Sequence, residues 1–288
     1  MDNLLEIQDL VKHYPTFSLN NVSFSLPAGY ITGFIGPNGA GKTTTLKSML
    51  GMIRPDSGRV RLFGQDALAP GAETLKDQIG VVMDLPFYVD DWTPKDVENA
   101  VRPFYTAWDT ARYAGLLRDF SIDPSKKVKE LSRGMKVKLM LAAALSHNAR
   151  LLLLDEPTSG LDPVARDELM DILSEFIQDE GRSVLFSTHI TSDLEKVADY
   201  ITYIRGGEIV FTGPKDTLME NYMMLKGGPE ELAALPAEKI IGLRTHATGF
   251  EGMLAQQDRQ LLPAGVLTEP VSLEEIVVFM NKGGGHNA

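Results

Sequence analysis

Apolar residues fall into two kinds of run along the chain, and each predicts a different layer of structure. Leu151 to Leu154 shows no polar alternation, the pattern of a strand covered on both faces by helices. Val184 to Ser187 has the same character, and Tyr30 to Ile35 reads as another short buried strand. Helical spacing from Pro163 to about Asp179 separates the first two, while Ile201–Ile204 and Ile209–Phe211 can pair through a Gly206-Gly207 turn. Leu4–Ile7, Val22–Leu26, Arg59–Gly64 and Ile79–Met83 predict further strands, the first two flanking an aromatic loop at Tyr14 and Phe17. Strands alternating with helices predict an α/β core, preceded by an antiparallel β subdomain.

From Leu85 to about Asn148 the pattern turns helical. Thr93 caps a helix with Pro94 at its first position, and a second begins at Trp108-Asp109 with Tyr113, Leu116, Leu117 and Phe120 at helical spacing. A third, capped by Ser132, turns Val137, Met140, Leu141, Ala144 and Leu145 inward. The expected organisation is one large α/β domain over 1–226, with a helical subdomain inserted at about 85–148, and a small accessory region over 227–288. In that region Ile240–Leu243 reads as a strand and Ser272-Leu273-Glu274-Glu275 as a capping box, while Lys282 to Ala288 is expected to fray.

Composition narrows the class. Among 288 residues, 43% are hydrophobic and 23% charged, as in an ordinary globular protein. No apolar run is long enough to cross a bilayer, and Met1-Asp2-Asn3 lacks the basic start of a secretory leader, so a cytoplasmic location is expected. The absence of cysteine excludes disulfides and thiol catalysis, and a net charge of -11 argues against direct nucleic-acid binding.

The chemistry is concentrated in a few short motifs. Gly36-Pro37-Asn38-Gly39-Ala40-Gly41-Lys42-Thr43-Thr44 lies between a buried strand and a helix, where a glycine-rich turn brings backbone N–H groups to a phosphate. Lys42 would reach the β- and γ-phosphates, and Thr43 would ligate Mg²⁺. The four leucines end in Asp155-Glu156, so Asp155 would hold Mg²⁺ and Glu156 would orient or partly deprotonate the attacking water.

Three further motifs keep a fixed order around that pair: Leu131-Ser132-Arg133-Gly134-Met135-Lys136, Ser159-Gly160-Leu161-Asp162 and Ser187-Thr188-His189. The set, spanning about 1–225, resembles the nucleotide-binding subunit of an ATP-binding cassette transporter. That resemblance implies ATP with Mg²⁺, a head-to-tail dimer of two such subunits, and separate transmembrane subunits on the inner face of the cell membrane. It implies that Tyr14, with Phe17, stacks on adenine, and that Ser132 and Gly134 close on the partner's ATP. Asp162 would belong to the loop crossing the dimer interface, and His189 would contact the γ-phosphate.

Two positions depart from the family pattern. Asp84 stands where a glutamine ligand to Mg²⁺ or water is usual, and Arg133 where the signature usually has glycine, with its side chain expected to point away from the closing site. The Arg133 signature and Ile190–Glu195 look like an exporter subgroup of Gram-positive type that handles peptides or antimicrobials. A soluble mechanochemical ATPase is the competing class, although neither a second cassette nor a long coiled-coil insertion is evident.

Overall fold

The computed structural model describes residues 2–84, 88–235, 237–263 and 265–283. The chain begins with β1 (Asn3–Tyr14), β2 (Phe17–Pro27), β3 (Ile31–Ile35), α1 (Lys42–Met49), β4 (Ser57–Leu62), β5 (Gln65–Asp66) and β6 (Ile79–Val82). Three helices follow, α2 (Pro94–Val101), α3 (Thr110–Asp119) and α4 (Arg133–Leu145). The chain then alternates through β7 (Leu151–Asp155), α5 (Pro163–Phe176), β8 (Ser183–Thr188), α6 (Thr191–Val197), β9 (Tyr200–Arg205) and β10 (Glu208–Pro214). It closes with α7 (Lys215–Glu220), β11 (Tyr222–Gly227), α8 (Pro229–Ala234), β12 (Ile241–His246), β13 (Gly249–Ala255), β14 (Leu267–Pro270) and α9 (Leu273–Gly283).

A six-stranded sheet ordered β10-β9-β3-β8-β7-β6 forms the centre, parallel except for the β10 edge. Its inner strands are largely apolar because both faces are covered, whereas the β10 edge alternates between exposed and half-buried positions. Leu151 and Leu153 pack toward the antiparallel sheet β2-β1-β4-β5, while Leu152 and Leu154 face the core shared with α4 and α5. At most 1% of any of these leucines is exposed, so each contributes roughly 1.5–3 kcal/mol of burial. Polar side chains on either face would find no water, which is why period-two alternation is missing.

The inserted helices are stopped and started by their caps. Thr93 and Asp96 form a capping box on α2, Asp109 accepts from Arg112 N–H on α3, and Ser132 accepts from Met135 N–H on α4. Tyr113 and Leu117 face Val97, Val128 and Leu139 in a core of their own, and Tyr113 Oη donates to the Pro94 carbonyl at 2.9 Å.

The end of the chain builds a third sheet, ordered β12-β13-β11-β14 and antiparallel. Its central strand β11 starts at Tyr222, ahead of the expected boundary at 227. The capping box at Ser272 and Glu275 starts α9, and Leu273, Ile276, Phe279 and Met280 extend the main core rather than a separate one. Glu195 of α6 accepts the Leu273 N–H at 2.6 Å, fastening α9 to the helix that follows β8. The fraying expected beyond Lys282 falls largely on 284–288, outside the described residues.

Two local expectations change. Tyr14 and Phe17 do not sit in a loop but face each other across a hairpin turned by Pro15 and Thr16 alone. The helix after β7 ends at Phe176 rather than near Asp179, because Ile177 caps it and Asp179 accepts from Gly181 N–H in the next turn.

One buried group makes the fold sensitive to acid. His147 follows α4, is 5% exposed, stacks on Tyr105 at 3.9 Å and lies 3.0 Å through Nδ1 from the Asp77 carbonyl. A carbonyl only accepts, so Nδ1 carries the proton, and Nε2 is buried without a partner among the described residues. Burial pushes its pKa from 6.5 down to about 4, with the carbonyl opposing in part. The unfolded chain therefore takes up a proton that the folded chain refuses. Stability is expected to fall as pH drops from 6.5 to about 4 and to level off below, losing about 3 kcal/mol from this group. Denaturant melts across that window should show a smaller loss for His147→Phe, which keeps the stacking and removes the titration.

Candidate nucleotide site

The phosphate loop joins β3 to α1, and two of its glycines are required by their surroundings. A Cβ on Gly36 would stand 2.2 Å from the Ile204 carbonyl oxygen. Gly41 has φ +113°, and a Cβ there would stand 2.5 Å from Leu19 Cδ2 and 2.9 Å from Phe17 Cζ. The first turn of α1 has neither a side-chain cap nor an acidic residue, so its N–H groups and the positive end of its dipole are left for an anion. Lys42 is 6% exposed and donates to the Gly36 carbonyl at 2.8 Å.

The carboxylates arrive at the same carboxyl edge of the sheet from β7, two strands from β3. Asp155 ends β7 opposite Ser187 of β8, accepting from Thr43 Oγ1 and from Ser187 Oγ, both at 2.8 Å. It is 3% exposed, and no basic side chain pairs with it among the described residues. A buried carboxylate held only by hydroxyls has its charge uncompensated, a reason for a cation to belong there. Among the described residues no three His, Cys, Asp or Glu side chains gather to hold a metal. One carboxylate and one hydroxyl nevertheless suit Mg²⁺, which keeps waters and takes phosphate oxygens as its other ligands.

Glu156 takes the left-handed conformation at φ +51°, uncommon outside glycine, while its N–H still donates to the Ser187 carbonyl at 2.9 Å. That turn swings its carboxylate between two bases. Oε2 is 2.6 Å from His189 Nδ1, and Oε1 is 3.4 Å from Lys42 Nζ.

The result is a cavity of about 470 Å³ lined by Phe17, Asn38, Gly39, Gly41, Lys42, Thr43, Thr44, Asp84, Glu156 and His189. Gly36 lies beneath it and contributes its carbonyl to Lys42. Tyr14 is absent from the lining. It is 39% exposed, with the Lys12 ammonium 5.8 Å from its ring centre, and Phe17 is the aromatic that meets the loop.

Ser132, Gly134 and Asp162 do not join this cavity. They line a separate one of about 570 Å³ with Arg133, Gly160 and Leu161. Asp162 Oδ1 caps α5 by accepting from Val164 and Ala165 N–H. Asp84 is engaged too: its carboxylate meets Arg133, which turns back onto its own chain. Sequence reasoning gave no role to Ser187. Its signal was the position at the end of the strand beside β7, where a hydroxyl must face the Asp155 carboxylate.

Known proteins resemble this chain in sequence and fold. A family described as ABC transporter matches residues 19–159. The chain is 32% identical over 269 residues to the bacitracin transport ATP-binding protein BcrA of Bacillus licheniformis, covering 88% of this chain and 85% of that protein. It is 34% identical over 210 residues to the lantibiotic transport ATP-binding protein SrtF of Streptococcus pyogenes, covering 72% and 89%. The Nod factor export ATP-binding protein I of Burkholderia orbicola (strain AU 1054) is 35% identical over 225 residues, covering 75% of this chain and 73% of that protein. Among solved structures, an ATP-binding subunit of an ABC transporter superposes with a TM-score of 0.68 at 30% identity, covering 75% of this chain and 91% of that one. With the phosphate loop, the Asp155-Glu156 strand end and His189 assembled as described, the chain belongs to the ABC transporter family, as one of its ATP-binding, ATP-hydrolysing subunits.

Proposed function

We propose that this chain supplies the ATPase power of a membrane exporter whose pore is formed by separate transmembrane subunits, with peptide antibiotics as the cargo class. The observation that carries the catalytic part is Glu156, set 2.6 Å from His189 and 3.4 Å from Lys42 at the mouth of the phosphate loop. Lys42 and the head of α1 hold the β- and γ-phosphates, and Phe17 offers the aromatic face for adenine. Thr43 and Asp155 hold Mg²⁺, which when bound neutralises charge developing on the phosphates. Glu156 accepts the proton of the attacking water, and His189 fixes the carboxylate and faces the γ-phosphate. Asp84 would offer a metal its second carboxylate oxygen, since Oδ1 accepts from Arg133.

Ser132 and Gly134 complete the far side of a partner chain's ATP in a head-to-tail dimer. The Ser132 oxygen accepts from Met135 N–H at 3.3 Å, which leaves its own O–H free to donate to a phosphate. Asp162 supports that interface by fixing the start of α5.

No helix among the described residues is long and apolar enough to cross a membrane, so the pore is assigned to other chains on the cytoplasmic side of which this one docks. The docking face is placed around Asp84 and the segment running to Tyr105, where Phe104 is 81% exposed and Val89 50% exposed. Leu85 to Phe87, the start of that segment, lie outside the described residues. The peptide cargo follows the bacitracin and lantibiotic relatives.

Gentle detergent extraction of cells producing the tagged chain tests this reading. Recovery with an integral membrane protein, and ATPase activity that rises when the pair is returned to lipid, is the expected result. A chain recovered alone, whose ATPase activity rises only with nucleic acid, would contradict it.

A further inference from the structure

Asp84 and Arg133, the two departures from the family pattern, are in contact. Arg133 Nη2 donates to Asp84 Oδ1 at 2.5 Å across 49 residues of sequence. Asp84 leaves β6 and lines the phosphate-loop cavity, whereas Arg133 opens α4 and lines the second cavity beside Ser132 and Gly134. Between them the arginine stem crosses Gly160, where a Cβ would stand 3.0 Å from Arg133 Cδ and 3.1 Å from Nε. Gly160 also has φ +69°, so this loop both turns tightly and leaves room for the stem. The exit of β6, the start of α4 and the loop before α5 thus meet on one side chain.

The chemistry of the two substitutions is complementary. A carboxylate in place of an amide can only accept, and a guanidinium in place of a hydrogen atom can only donate. Alone, Asp84 would repel a polyanion from the cavity it lines, and Arg133 would leave an unmatched cation at the head of α4. Paired, each charge is answered within the chain. Both side chains are about half exposed, so the pair adds little to folding stability and its effect is positional.

We propose that Asp84 and Arg133 are positioning residues that link the two half-sites of one chain. Asp84 holds Arg133, Arg133 sets the attitude of the Ser132–Gly134 segment, and a ligand entering the phosphate-loop cavity acts on that segment through Asp84. The functional consequence rests on the reading that Ser132 and Gly134 serve a partner's nucleotide.

A charge-exchange cycle tests the link: Asp84→Arg, Arg133→Asp and the two together. The first readout is backbone hydrogen exchange over residues 131–137 in the nucleotide-free full-length protein, and the second is kcat and KM for ATP. Each single exchange is expected to speed amide exchange at the head of α4 and to lower kcat about tenfold, and the double to return amide exchange to within about threefold of the parent. Asp84→Asn and Arg133→Gln provide a second cycle if charge reversal prevents folding; each alone should speed amide exchange, and the pair should speed it no further. Effects that simply add in the amide-exchange cycle would overturn the proposal. Because that readout needs no nucleotide and no dimer, it stands or falls separately from the composite-site reading, which an ATP-bound protein that never dimerises would overturn.

Discussion

Glu156→Gln is expected to bind ATP at least as tightly as the parent and to hydrolyse it about 100-fold or more slowly, the loss typical of a missing general base. The amide keeps the size of the side chain, and the left-handed turn at φ +51° that aims it belongs to the backbone. What disappears is the capacity to take a proton. Binding should not weaken, because the change removes a negative charge 3.4 Å from Lys42 in a cavity meant for phosphates. Single-turnover hydrolysis with saturating protein, beside equilibrium binding of labelled ATP, separates the two effects. An unchanged single-turnover rate would remove Glu156 from the proton transfer and leave His189 as the remaining base near the phosphate.

The same variant is expected to accumulate as an ATP-bound dimer. Glu156, His189 and Lys42 all line one cavity of about 470 Å³, yet the chain's own Ser132 and Gly134 line another. On the proposed reading, each chain carries two unlike halves rather than one finished site. Ser132 sits at the head of a 13-residue helix, where the N–H groups and the dipole favour an anion, and its hydroxyl still has a proton to donate. A second copy turned head to tail would bring those donors to the open side of the first copy's phosphates, and the reverse contact would form at the same time. Such an isologous arrangement closes on itself, so the assembly stops at two. In such a dimer hydrolysis would remove the γ-phosphate that both halves hold, and blocking it should trap the closed state.

Much of this was legible in the sequence because the residues involved obey local rules. Consecutive leucines announce a strand buried on both faces, and Leu151–Leu154 divide alternately between two cores as that rule requires. Thr93 and Ser132 are the cap residues read from their side-chain chemistry, and Ser272 with Glu275 behaves in the same way. The third sheet was harder to read. The central residues of β11, Met223 to Leu225, form a short apolar run with no alternation, Gly252 interrupts β13, and all four residues of β14 are exposed, so none shows a strand period.

The site divides along the same line. Lys42, Thr43, Asp155, Glu156 and His189 could be found because each belongs to a short motif, and the parallel sheet then brings the motif ends together. Ser187 and the contact between Asp84 and Arg133 could not. Their partners are set by strand register and by a side chain passing over Gly160, which only tertiary structure determines. Asp162, assigned to an interface by its motif, also caps α5 through Oδ1.

Light scattering on purified Glu156→Gln, with and without ATP and Mg²⁺, tests the composite-site account most directly. Twice the single-chain mass with ATP, reverting to one chain with ADP and abolished by Ser132→Arg, is the result expected from two half-sites that meet across an interface. A protein that binds ATP and remains a single chain at every concentration would contradict it.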